Sequence, residues 1–423
     1  MAKRVFSFIA MAALMSALCF SLLSCGREEV NFEPTSETAS IDYTPYAGVT
    51  INVYNWGEYI SDGSEGSVDI NKAFTKLTGI SVNYTNFTDN EDMYSKLKSG
   101  GMSYDIIIPS DYMVERLIKE GMVQKLDFAN IPNYKHIDDS YKDLYFDPEN
   151  EYSVPYNVGM IGLIYNTDLL SYTPDSWEAL RDPNYSNQIL MFNNPRDAFA
   201  IAQIALGIDV NTENPEEWEE AQDWLKRQKA YVKAYVMDEV FNKMESGSAA
   251  MAPYYAGDFL SMYQNNEDLA FVYPKEGTNI FVDSICIPAS SKHKSAAELY
   301  INFLLDPNVA LENAETICYA SPNKEVVSNP RYEEFLAELH PDAKAILYPS
   351  FNEIYPDKDA DDYFFHNLSP ASLDKLSALW SELKITSVED SGSLTIYILA
   401  AVAVAALLAV VIFIKIRKEK RNA

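Results

Sequence analysis

Apolar residues along this chain fall into short β-branched or aromatic runs, and these alternate with stretches spaced for one face of a helix. Ile51–Tyr54 predicts a strand, Ile70–Leu77 a short helix ending at Gly79, and Ile80–Tyr84 a second strand. Glu91–Lys98 predicts a helix, Asp105–Ile108 a strand, and Tyr112–Glu120 a helix closed by Gly121. This alternation predicts parallel βαβ units. Ile106-Ile107-Ile108 is unbroken and apolar, as expected when helices cover both faces of a sheet. A second series starts near Met160. Its predicted strands are Ile161–Tyr165, Ile189–Phe192, Ala249–Tyr254, Leu269–Tyr273 and Ile280–Ile287. Asp175 with Glu178 has the spacing of a capping box, and Asn214-Pro215 opens a helix. Lys294–Leu305 and Pro307–Ile317 predict two more helices, the second started by Asp306. There is no internal repeat.

The two ends follow a different pattern. Lys3 and Arg4 precede the apolar run Val5–Leu23, which reads as an export signal over residues 1–24. The run ends Leu22-Leu23-Ser24-Cys25-Gly26, which resembles a bacterial lipoprotein box and implies lipid on Cys25; ordinary cleavage is the alternative. Leu394–Ile414 has no charged residue and is long enough to cross a bilayer as a helix. The basic residues of 415–423 follow at once, which predicts a cytoplasmic tail and an extracytoplasmic body. Residues 25–47 and 386–393 are polar and read as linkers, leaving about 48–385 as the folded part.

Charge narrows the function. With 62 acidic against 33 basic residues, the net charge of −29 argues against a nucleic-acid partner. It fits attraction of cationic solutes, or simply solubility. Of four cysteines, Cys286 and Cys318 lie away from the signal and are either paired or two buried thiols. Four histidines without ligand spacing make a structural zinc site improbable, and no cofactor is expected. The chain has no Walker A loop, nucleophile elbow or metal motif, so no enzyme activity is expected.

Two α/β lobes fit the length, and open sheets of this kind bind ligands outside the carboxyl ends of their strands. Trp56, Glu58 and Tyr59 follow the first strand; Ser110 and Tyr112 follow Ile108; Asn194 and Asp197 follow Phe192. Tyr254 and Asp258 follow Ala252, Phe281 and Asp283 lie in the late strand, and Tyr319 follows Ile317. Rings and acids recur at these ends. Carboxylates hold ammonium heads, flat rings line an alkyl stem, and each good ring–cation contact adds about 0.5–2 kcal/mol. Asp283 sits inside an apolar run, where an unpaired carboxylate is costly without a function. Asn194 before Pro195 also reads as a helix cap, with or without a ligand contact.

Over nearly the whole folded region the sequence resembles the substrate-binding proteins of bacterial spermidine/putrescine ABC transporters. The stretches that carry the resemblance are Tyr54-Asn55-Trp56-Gly57-Glu58-Tyr59, Ile108-Pro109-Ser110-Asp111-Tyr112, Tyr273-Pro274-Lys275-Glu276-Gly277 with Ile280-Phe281-Val282-Asp283-Ser284, and Ala314 to Asn323. The resemblance implies a two-lobed periplasmic-binding-protein clamshell with parallel-rich sheets flanked by helices. Residues 48–157 with 284–330 would form one lobe, and 158–283 with 331–385 the other. It implies putrescine or spermidine as ligand, and permease subunits with their ATPase as partners. Trp56, Tyr59, Tyr112, Tyr254, Phe281 and Tyr319 would form the walls, and Asp197, Asp258 and Asp283 would hold the amines. Glu58, Ser110, Asn194 and His366 would supply further polar contacts, His366 where spermidine-type members have glutamine. Gly57 lacks the hydroxyl common at its position. A membrane-anchored sensor, or a receptor for another organic cation such as a quaternary amine, is the rival reading.

Overall fold

The computed structural model describes residues 32–385 apart from Met102 and residues 351–362. The export signal, Cys25, the apolar segment 394–414 and the basic tail lie outside the described residues. Among the described residues no helix is long and apolar enough to cross a membrane.

Among the described residues nine strands form one continuous sheet: β1 Thr50–Trp56, β2 Ser81–Phe87, β3 Ile106–Ile107, β4 Ser153–Asn166, β5 Ile189–Phe192, β6 Val232–Val236, β7 Met251–Tyr255, β8 Leu269–Val272 and β9 Ile280–Cys286. Their order is β2-β1-β3-β9-β4-β7-β5-β6, with β8 also paired to β4. At each end the expected parallel pairing holds: β1 with β2 and β3, and β5 with β6 and β7. The middle departs from it. β9 runs antiparallel to β3 and β4, and β4 runs antiparallel to β7 and β8. These two strands join the halves of the molecule, so a βαβ reading that follows only local alternation misses them.

β4 is fourteen residues long and buried throughout. The sequence pattern marked only Ile161–Tyr165 of it. Its first half contains Pro155 and Gly159 and shows no alternation, because both faces are covered, and the register shifts between Pro155 and Asn157. Ser153–Met160 pair with β9, whereas residues 161–166 pair with β7 and β8. β6 was not expected at all, since Lys233 interrupts a half-exposed run.

Helix ends follow the expected chemistry. Asp69 accepts from Lys72 N to start Ile70–Thr78, and Gly79 at φ +71° closes it. Asp306 caps Pro307–Ile317, accepting from Asn308 N at 3.0 Å. The proposed capping box at Asp175 is corrected: Ser176 is the cap of a short 3-10 turn, Trp177–Arg181, and its hydroxyl donates to Glu276. The 25–47 linker is also corrected over its described part. Ser36–Ala39 is a helical turn, Thr38 and Tyr43 are buried, and Thr35 N donates to Asp306 at 3.1 Å. Asn133 Nδ2 donates to Thr38 Oγ1 at 2.9 Å, so the segment is docked rather than free. Its polar composition, with Pro and Thr/Ser, reads as a linker because these partners lie far away in sequence.

One apolar cluster gathers Phe74, Tyr300 and Phe303 beneath β1, and a second gathers Phe199, Trp218 and Trp224 beneath β5 and continues through Tyr54, Phe87 and Met113 of the first half. Each such fully buried ring contributes about 2–3 kcal/mol. The two halves, joined by β4 and β9, make a two-lobed α/β body. Cys286 and Cys318 are buried and unpaired with each other.

Candidate functional site

A cavity opens where the strand ends of the two halves meet, with about 720 Å³ of space counted out to its mouth. All the residues expected from the sequence line it except His366: Trp56, Glu58, Tyr59, Ser110, Tyr112, Asn194, Asp197, Tyr254, Asp258, Phe281, Asp283 and Tyr319. Its lining contains five carboxylates, Glu58, Asp197, Asp238, Asp258 and Asp283, and no lysine, arginine or histidine.

The carboxylates fall into two groups. Asp283, on β9, is only 3% exposed. Tyr59 donates to its Oδ2 at 2.7 Å, while its buried Oδ1 has no partner. Burial pushes this carboxyl up to about 6, against the opposing pull of the Tyr59 and Ser110 hydroxyls. Asp197 lies in the first turn of the helix Pro195–Leu206 and feels the charge of Asp283. Tyr255 donates to Asp197 Oδ2 at 2.7 Å and Asn194 Nδ2 donates to it at 2.9 Å. Burial pushes Asp197 up to about 7, with the Tyr255 hydrogen bond opposing. Asp258 forms the second group with Asp238 and Glu58. It is raised well above the usual carboxylate range by burial, and the charges of Asp238 and Glu58 add to the rise.

Rings separate the groups. Tyr59 feels both Asp283 and Asp258, and Tyr255 feels both Asp197 and Asp258, so these two rings stand between them. Tyr59 packs edge-on to Tyr319 at 4.8 Å, and Tyr255 packs edge-on to Phe281 at 5.4 Å. Two glycines make room. A Cβ on Gly257 would overlap the Tyr319 ring, and one on Gly159 would overlap Phe281. Tyr254 stacks on Phe192 at 5.1 Å, which fixes its ring against the wall. Glu58 turns the chain at φ +48°, placing Trp56 and Tyr59 around one bend.

Several expected residues have further duties. Asn194 is a true cap, accepting from Arg196 N at 2.9 Å, and also borders the cavity. The Tyr112 hydroxyl donates to Glu91 at 2.9 Å. Ser110 accepts from Asn90 Nδ2 at 3.1 Å. His366 does not line the cavity here: its ring packs 4.2 Å from Tyr145 and its backbone N–H donates to Asn211 Oδ1 at 2.7 Å. Buried Arg196 reaches the His366 carbonyl at 3.4 Å and holds this segment so that Phe365, one residue earlier, faces the cavity.

Asp238, Tyr255, Asn90, Phe87 and Phe365 also line the cavity and were not expected. Asp238 follows β6, which the pattern hid. Tyr255 stands beside Tyr254 at a strand end, and that adjacency was a usable signal. Among the described residues no cluster of histidine, cysteine and acidic side chains is placed to hold a metal.

The model of the family described as bacterial extracellular solute-binding protein matches residues 69–337. The spermidine/putrescine-binding periplasmic protein of Salmonella typhimurium is 37% identical over 302 residues, covering 70% of this chain and 84% of its own. A structure from Listeria monocytogenes, named for a spermidine/putrescine ABC transporter, is 35% identical with TM-score 0.69, covering 79% of this chain and 99% of its own. The spermidine/putrescine ABC transporter substrate-binding protein of Streptococcus pneumoniae is 31% identical with TM-score 0.61, covering 80% and 99%.

Proposed function

The chain belongs to the bacterial extracellular solute-binding proteins, and from that premise we propose that it binds a linear polyamine of the putrescine–spermidine type in the cavity between its lobes. Its relatives are binding proteins rather than enzymes, and this chain is one of them. The observation that carries the ligand is the lining: five carboxylates, no cation, and aromatic rings between two acidic groups. An anion would meet only repulsion there. A sugar would leave Asp283 Oδ1 without a charge to offset its burial.

One ammonium seats against Asp283 and Asp197, taking the unpartnered Asp283 Oδ1. The stem lies along Tyr59, Tyr255, Tyr319 and Phe281, and a second ammonium meets Asp258 and Glu58. Tyr112, Tyr254 and Trp56 complete the walls. Binding draws the protons off Asp197 and Asp283, which burial holds partly neutral in the empty site. Residues from both lobes take part, so ligand favours the closed arrangement through hinge motion in β4 and β9. We assign 48–157 with 284–330 to one lobe and 158–283 with 331–385 to the other. The closed form would be presented to permease subunits of an ABC transporter and, through them, to its ATPase. Cys25 lipid and a 394–414 membrane helix would tether the body at the outer face.

Calorimetry with putrescine, spermidine, spermine and choline tests the reading. Tight binding of the amines, with choline weak, supports it. Choline binding without the diamines refutes the carboxylate roles.

A further inference from the structure

Behind Tyr112 and Phe365 of the cavity wall lie two buried charges of opposite sign, one on each lobe, and neither lines the cavity. Glu91 is in the first turn of the helix Asn90–Ser99, on the first lobe. Tyr112 of the same lobe donates to its Oε1 at 2.9 Å, while its Oε2 is buried with no hydrogen-bond partner. Arg196 is on the second lobe, in the helix Pro195–Leu206, and is 3% exposed. It donates to the Val210 carbonyl at 3.0 Å, to Asn211 Oδ1 at 2.8 Å and to the His366 carbonyl at 3.4 Å, all neutral acceptors. Its Nε is buried with no partner.

Tyr112 stands between the two. Its hydroxyl holds Glu91, and its ring centroid lies 5.9 Å from Arg196 Cζ. Burial raises the Glu91 carboxyl, and the Tyr112 hydrogen bond and the Arg196 charge oppose the rise. Asp197 also acts on Arg196 but follows it in the same helix, so parting of the lobes does not separate them. Asp111 of the first lobe is already met by the N–H groups of Tyr112 and Val282. Residues 364–367 cross the same boundary. Asn211 Nδ2 donates to the Phe364 carbonyl at 2.7 Å from the second lobe, and the Asn367 N–H donates to Glu115 Oε2 of the first at 2.7 Å. Arg196 grips this segment through His366, so parting of the lobes would break the Glu115 contact and draw Arg196 from Glu91 together.

Resting on the two-lobed binding reading, we propose that Glu91 and Arg196 are positioning residues for ligand capture: an inter-lobe charge pair that comes together behind the wall as the cavity closes and slows release of the amine inside. A charge buried without its counter-charge is costly, so loss of either member alone penalises the closed form.

Calorimetry and stopped-flow tryptophan fluorescence with putrescine and spermidine, on the full-length chain, Glu91→Gln, Arg196→Met and the double variant, test this. E91Q leaves Tyr112 an acceptor and removes only the charge. It should weaken both amines by the same factor, about tenfold, through faster release, with association changed less than about twofold. In the R196M background E91Q should cost less than about twofold. In the ligand-free chain the Asn367 amide should exchange with deuterium about tenfold faster in E91Q than in the wild type, with thermal unfolding no lower. Should R196M fail to fold, Glu91→Lys sets like charges against each other and should speed release beyond E91Q. Unchanged release and exchange in E91Q, an undiminished E91Q loss in R196M, or a loss larger for the triamine than for the diamine overturns the pair; the last result would mean direct attraction of the ligand. A wild-type chain that binds neither amine overturns the polyamine reading instead, and the ligand-free exchange still tests the pair.

Discussion

The raised carboxyls make ligand affinity depend steeply on pH. Asp283 stands at about 6 and Asp197 at about 7 in the empty, buried site. Amines of the ligand remain protonated far above this range, since a lysine-like amine titrates near ~10.4. Above about pH 7.5 both acids are charged and affinity is flat. Below that, each must lose a proton before it can pair with an ammonium. At pH 5 the penalty is about tenfold for Asp283 and about a hundredfold for Asp197, together about a thousandfold or about 4 kcal/mol. Asp258, also raised, adds to this. The assay is calorimetry with spermidine at pH 8, 7, 6 and 5, each in two buffers of different ionisation heat. Near pH 6 the buffer dependence should show roughly one to two protons released per ligand. A dissociation constant that changes less than about threefold from pH 8 to pH 5, with the protein still folded, refutes the assignment of these carboxylates to the ammonium groups.

The same shifts act on the fold with a definite sign. A carboxyl raised in the folded state lets that state hold more protons than the unfolded chain, so ligand-free stability grows as pH falls through about 7 toward about 4 and is lost as pH rises. Ligand-free melting should be higher at pH 5.5 than at pH 8, and saturating spermidine should remove or reverse the difference, read by differential scanning fluorimetry. Asp283→Asn keeps the shape but removes the charge beneath the ligand; a loss of about a hundredfold in affinity, with unchanged or raised ligand-free stability, is expected by calorimetry. Gly257→Ala drives a methyl into the Tyr319 ring and should cost about 1–3 kcal/mol in chemical denaturation and weaken ligand binding as well. Asp306→Ala removes both the cap of Pro307–Ile317 and the anchor of Thr35, and should lower stability by about 1–3 kcal/mol without changing amine affinity at saturation of the fold.

Much of this was legible in the sequence because ligand residues cluster at strand ends, and strand ends are marked by a break in an apolar run. Trp56 at the end of β1, Glu58 and Tyr59 just after it, and Asp197 after β5 follow that rule directly. Asp283 was legible for a different reason: a charge inside an apolar run is costly unless used. What escaped was non-local. β4 and β9 owe their antiparallel pairing to partners far away in sequence, and both faces of β4 are buried, so no alternation announces its first half. Asp238 stayed hidden because β6 is half exposed and broken by Lys233. His366 and Phe365 differ by a single residue, and distant contacts from Arg196, Asn211 and Tyr145 to the backbone of 364–366 decide which of them faces the cavity. The 25–47 segment reads as a linker because its partners, Asp306 and Asn133, lie elsewhere in the chain.

The central claim is that two separate acidic groups grip the two ends of one flexible polyamine across a ring-lined cavity. A crystal structure of the spermidine complex tests it most directly. One ammonium should lie about 3 Å from Asp283 Oδ1 and another at similar distance from Asp258, with methylenes against Tyr59 and Tyr255. Electron density that seats the amine outside this cavity, or both of its ends beside one acidic group, would contradict the account.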